Sequence, residues 1–253
     1  MNMTLNPKKA TKILMMITAV LALADSAGNL LDHYFGSTFG LLFFDVDRER
    51  SIPTFYSAIL LLTCALLLWI IFTVHRKRGE NYLYWAGLSL IFLFLATDEA
   101  AALHENLINP LRNIFNTTGV LYYAWVIPYG ILLLIFVGFY AKFLFSLPKE
   151  TAVMFVISGA VFVTGAFGFE LVSGYLVDAT GTGSLLQSFL NLIEEVLEMI
   201  GSTLFIYTLL SYLANRFPDL RLSFSVDNVA KQEALKDNRL AKTTPVLSSK
   251  LPN

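Results

Sequence analysis

Apolar runs long enough to cross a bilayer, which takes about 20 positions, recur along most of this chain. Five are clear, at roughly 53–75, 82–104, 121–145, 151–177 and 187–213. A sixth, at roughly 12–33, is strongly apolar only from Ile13 to Ala24 and is then interrupted by Asp25, Asn29 and Asp32. The pattern predicts an all-α polytopic membrane protein, a bundle of six transmembrane helices forming one domain over 1–215. The polar, lysine-rich stretch 216–253 reads as a disordered cytoplasmic tail. The first segment has a second reading. Lys8, Lys9 and Lys12 precede an apolar run ending Ala22-Leu23-Ala24, which also fits a cleaved signal peptide over 1–24. Segments 34–52 and 106–120 are expected to be loops on one side, the second because Asn109-Pro110 is turn-like.

Lysine and arginine placement gives a direction. With both termini on one side, 15 of the 18 basic residues share that side, and only Arg48, Arg50 and Arg112 lie opposite. Without the residues beyond Arg221 the ratio is still 10 to 3. Both ends are therefore expected in the cytoplasm, in an inner (plasma) membrane. His75 belongs to the basic run His75-Arg76-Lys77-Arg78 and is read as part of this topological signal. Tyr82, Tyr84 and Trp85 on one side, and Tyr122, Tyr123 and Trp125 on the other, suit headgroup-level positions.

Composition sharpens this. Of 253 residues, 56% are hydrophobic and 15% charged, with a mean hydropathy of +0.62. Soluble domains carry about 25% charged residues. A net charge of −1 supplies no field for nucleic acid. One cysteine, Cys64, excludes a disulfide framework and a thiolate metal site within one chain.

The acidic residues change the picture most. An acid at the centre of a span costs about 2.5–3.5 kcal/mol on insertion scales, less toward the ends. Asp25, Asp32 and His33 fall in or at the end of the first span. Asp98, Glu99, His104 and Glu105 close the third. Glu170 lies in the fifth, and Glu194, Glu195 and Glu198 lie early in the sixth. Spans two and four contain no acid and are expected to be scaffold, with Pro128 kinking the fourth. Under the topology above, every acid falls in the outer half of the membrane. At about 100° per residue, Asn191, Glu194, Glu195, Glu198 and Ser202 share one helix face. Asp98, Ala102 and Glu105 share another, and His104 projects from a different flank unless the helix loosens before it.

Packed carboxylates with no lysine or arginine in any span core need protons, a metal ion or water. Carboxylates with one or two imidazoles suit iron, manganese or zinc. The expected divalent-metal site comprises Glu99, Glu170, Glu195, Glu198, His104 and Asp98, with Asp25, Asp32, His33, Glu105 and Glu194 as additional candidates. Such a site could serve an enzyme acting on a lipid-like substrate. The spacing is not that of a four-helix di-iron protein, because Glu99 and His104 stand five apart rather than three. Two other readings remain open: a proton- or cation-coupled transporter, and a structural subunit whose buried acidic network fixes helix packing. No nucleotide loop, nucleophile elbow or CxxC pair is present. No residue stands out as catalytic.

Three segments carry a resemblance: Asp98-Glu99-Ala100-Ala101-Ala102-Leu103-His104-Glu105; the span opening on Trp125, Pro128, Tyr129 and Gly130; and Gly168-Phe169-Glu170 followed by Glu194-Glu195-Val196-Leu197-Glu198-Met199-Ile200-Gly201. Over roughly 80–215 the chain resembles a set of uncharacterised multi-pass membrane proteins from bacterial genomes. The resemblance implies an inner-membrane location and no established activity. Membrane hydrolases of the ceramidase and progestin-receptor type rely on a His-x-x-x-His pair, which histidines at 33, 75 and 104 do not form.

Overall fold

The computed structural model describes residues 6–35, 41–46 and 51–218. The acidic and basic positions 47–50, residues 1–5 and the tail from Asp219 onward lie outside the described residues. The described chain is helical, with no strand. Its helices are α1 (Pro7–Phe35), α2 (Ile52–Lys77), α3 (Leu83–Ala101), α4 (Leu103–Phe115), α5 (Val126–Ser146), α6 (Lys149–Val163), α7 (Glu170–Thr180) and α8 (Leu185–Arg216). A π-helical stretch, Thr164–Phe169, joins α6 to α7 as one continuous rod, Lys149–Thr180.

Six of these rods are long and apolar enough to cross a membrane, so the protein is of the multi-pass membrane class. They correspond to the six expected spans. Residues 106–120 differ from expectation: most of the segment is the helix α4, with Pro110 inside it. Asn-Pro is turn-like in isolation, but an unbroken apolar stripe on the same helix outweighs it.

Two rods form the centre. Half of the apolar window is buried within the protein in α2 and in α8, against 17% in α1 and α5. The less buried rods turn apolar side chains such as Leu134, Phe139 and Val156 outward, as lipid contact requires. α2 starts on Ser51, whose Oγ accepts from the Thr54 amide at 3.2 Å, with Pro53 in the first turn. α8 starts on Ser184, whose Oγ accepts from the Gln187 amide at 3.1 Å. Pro128 falls in the first turn of α5, so it opens that helix rather than kinking it.

The apolar core packs Leu60, Cys64, Leu68 and Ile71 of α2 against Trp85 and Leu88 of α3 and Met199, Ile206 and Leu209 of α8. At the end of the bundle where α2 finishes, His75 is buried rather than displayed with the neighbouring cations. Its ring lies 2.9 Å from the Tyr212 hydroxyl through Nε2 and 2.7 Å from Glu80 through Nδ1, and stacks on Trp85. His75 therefore pins the α2–α3 turn to α8, a role hidden in the sequence by its basic neighbours.

The rod Lys149–Thr180 reaches α8 closely at two glycines. A Cβ on Gly201 would lie 2.7 Å from the Phe162 amide nitrogen, and one on Gly165 would lie 2.7 Å from the Glu194 carbonyl oxygen. Backbones this near hold only where side chains are absent, the small-residue packing typical of membrane helices. A Cβ on Gly159 of α6 would meet nothing within 4 Å. Gly201→Ala is accordingly expected to cost about 1–3 kcal/mol through forced displacement of a packed backbone. Gly159→Ala should be neutral or stabilising by up to about 1 kcal/mol. Thermal unfolding of the two variants in detergent checks the contrast, and equal effects would contradict the close approach.

Candidate functional site

Where α3 ends, the helix breaks. Ala102 adopts the left-handed conformation (φ 48°), which separates α3 from α4 and turns the chain. The Asp98–Ala102–Glu105 stripe expected for an unbroken helix is thereby lost. In exchange, Asp98 reaches forward to His104. The His104 backbone N–H donates to Asp98 Oδ1 at 3.1 Å, and His104 Nδ1 lies 2.8 Å from Asp98 Oδ2. The Tyr129 hydroxyl of α5 donates to the same Oδ1 at 2.8 Å. Asp98 is buried, at 6% exposure, and three groups converge on it. A carboxylate engaged in this way fixes an imidazole: it occupies Nδ1 and leaves Nε2 as the ring's remaining nitrogen.

His104 lines a cavity of ≈ 270 Å³. Asp98, Glu99, Glu105, Glu170, Glu194, Glu195 and Glu198 also line it, with Asn191, Trp125, Tyr129 and Phe167. Among the described residues no lysine or arginine borders it. The cavity is thus a carboxylate-rich chamber with one imidazole.

Each wall has a local cause. Glu194, Glu195 and Glu198 come from one face of α8, as the helical period requires. Glu170 follows the π-helical stretch, whose extra residue per turn rotates α7 relative to α6. Trp125, just ahead of α5, donates its indole Nε1–H to Glu170 Oε1 at 2.6 Å and packs on His104 at a ring separation of 4.8 Å. Glu170 of α7 and Glu194 of α8 both line the cavity. Behind them Ser173 donates to Asn191 Oδ1 at 2.9 Å, tying α7 to α8.

The other candidates fall elsewhere. Asp25 is buried but does not line the cavity, accepting from the Val46 amide at 3.1 Å and from Asn29 Nδ2 at 3.0 Å. It anchors the short 3-10 turn Leu41–Phe44 and the residues after it to α1. Asp32 and His33 are exposed at the end of α1 and do not line the cavity. The structure therefore brings Asp98, Glu99, His104, Glu105, Glu170, Glu194, Glu195 and Glu198 together and leaves Asp25, Asp32 and His33 out. It also adds two residues. Trp125 read in the sequence as an interfacial aromatic and Tyr129 had no assigned role on a scaffold span, yet they donate to Glu170 and Asp98. Among the described residues, no three His, Cys, Asp or Glu side chains are already placed to share a metal ion.

Residues 13–213 match the family described as Domain of unknown function (DUF8692). The chain belongs to that family. No curated protein and no solved structure matches it. The match spans every membrane rod and the whole cavity, so the carboxylate chamber lies inside the family's domain rather than in an appendage.

The Asp98 hub makes a stability prediction. Tyr129→Phe removes one donor to a charged acceptor and is expected to cost about 1.5–3 kcal/mol. Asp98→Ala leaves the Tyr129 hydroxyl, the His104 amide and the His104 ring without their acceptor, and is expected to cost about 3–5 kcal/mol. Unfolding curves in detergent give the order, and a Tyr129→Phe cost equal to that of Asp98→Ala would contradict the hub.

Proposed function

We propose that the chamber binds a divalent metal ion, with Glu99, Glu170, Glu195, Glu198 and His104 as the ligand pool. The observation that carries this reading is the Asp98–His104 pair. Metal-ligating histidines are commonly oriented by a carboxylate on their second nitrogen, and this imidazole is held that way beside glutamates that, among the described residues, no lysine or arginine adjoins in the cavity wall. Asp98 then acts on His104 rather than on the metal. Oxygen-rich donors with one imidazole favour iron, manganese or zinc. Metal ligands must be deprotonated, so metal affinity is expected to fall as the pH falls.

The same reading places the site in a membrane with both termini in the cytoplasm, and so puts the cavity in the outer half. The lysine and arginine distribution supports that direction. A metal there could act as a Lewis acid or redox centre on a lipid-like substrate, a step that rests on location alone.

Proton- or cation-coupled transport is the second reading, and the gathering of carboxyl groups around one imidazole favours it. The apolar core speaks against it. Leu68, Ile71, Trp85, Leu88 and Leu209 are buried between the cavity and the His75 end of the bundle, where the polar groups beside them are hydroxyls such as Ser89 and Thr208 rather than ionisable side chains.

Elemental analysis of monodisperse detergent-purified protein tests the proposal. The wild type is expected to carry near-stoichiometric iron, manganese or zinc, and Glu170→Gln and Glu198→Gln to lose most of it while staying folded. Folded protein that takes up none of these metals after supplementation would overturn the metal reading. A pH change in proteoliposomes driven by an imposed ion gradient would then support transport.

A further inference from the structure

The helix α4 raises a question the chamber does not answer. Its 13 residues span about 20 Å, at 1.5 Å per residue, which is short of the bilayer core. It joins the end of α3 to the start of α5, two successive antiparallel rods, so both its ends belong to the same face of the membrane.

The two faces of α4 differ sharply. Leu103, Leu107, Pro110 and Ile114 form one stripe, while Asn106, Asn109 and Asn113 form the other. No residue of α4 is buried within the protein, and Ile114 and Phe115 are 68% and 51% exposed. A helix with this division, neither packed nor long enough to span, fits the plane between headgroups and acyl chains. On the preceding rod α3, Leu93 and Phe94 are likewise exposed apolar side chains, as lipid contact requires.

Both ends are fastened. Ala102 and Asn116 are left-handed breaks at φ 48° and 50°. Near the far end, Arg112 stacks over Tyr122 at 3.7 Å and reaches Asp178 at 3.7 Å, while Asp178 accepts from the Gly119 amide at 2.8 Å. Such a tether fixes the rotation of α4 about its axis.

We propose that α4 is an interfacial helix seated on the bilayer by its apolar stripe, and that it forms the membrane-facing wall of the acidic chamber. The partner surface is the headgroup layer itself. α4 supplies His104, Glu105 and Ile108 to the cavity wall, so the seating holds the chamber's imidazole at headgroup depth. This holds whether or not a metal occupies the chamber.

Site-directed spin labelling in phosphatidylcholine–phosphatidylglycerol vesicles tests it. Cys64 is fully buried, so the native chain serves as background and single cysteines go in at Leu107, Ile114, Asn109 and Asn113. Labels at 107 and 114 are expected to be relaxed several-fold more by oxygen than by a nickel chelate, and labels at 109 and 113 the reverse. Four labels all favouring the nickel chelate would place α4 in water and overturn the proposal. Labels at 107 and 114 shielded from both reagents, with dipolar broadening between chains, would show a second copy on the stripe and overturn it equally. Two positions on each face keep the reading decisive if one variant misfolds.

Discussion

A carboxylate inside a membrane bundle has three ways to avoid its desolvation cost: a proton, a cation or water. Among the described residues, seven acids gather around one cavity and no lysine or arginine lines it. The rest of the architecture follows from how that charge is handled. One acid, Asp98, is consumed by donors from three directions. Another, Glu170, takes the Trp125 indole N–H. The remainder line the open volume.

Structure is spent accordingly at the two ends of the bundle. Toward the His75 end, large aromatic and aliphatic side chains fill the space between α2, α3 and α8, and a Glu80–His75–Tyr212 chain with its histidine buried closes the packing. Toward the cavity end, the devices are backbone irregularities. The left-handed Ala102 swings His104 onto Asp98, and the π-helical Thr164–Phe169 aims Glu170. Gly165 lets that stretch lie against the α8 backbone at Glu194. Irregular backbone is costly in a bilayer unless it borders protein or a cavity, and here it borders the chamber. Packing and chemistry therefore occupy different halves of the same six rods.

Much of this was legible from residues. Hydropathy located the six rods, and the 3.6-residue period grouped Glu194, Glu195 and Glu198 correctly on α8. The late position of acids in one set of spans and their early position in the last put them at one end. What escaped notice depended on breaks in periodicity. An ideal helix through Ala102 puts His104 on the wrong flank, and only the left-handed residue brings it to Asp98. Helix α4 was hidden by Asn109-Pro110. Trp125 looked like a headgroup-level aromatic, and Tyr129 drew no role, because their donors mark no chemistry until an acceptor lies opposite. Asp25 looked like a site residue because burial and acidity do not reveal that its partner is the backbone amide of Val46.

The central claim is that glutamates and a single oriented imidazole form one cation site. Electron spin-echo modulation of bound manganese(II) tests it most directly, because the modulation reports nitrogen on the metal. The account predicts one bound manganese per chain with coupling from a single nitrogen, shifted by 15N-histidine labelling and lost in His104→Gln. Bound manganese with no nitrogen coupling, or coupling unchanged in His104→Gln, would contradict it.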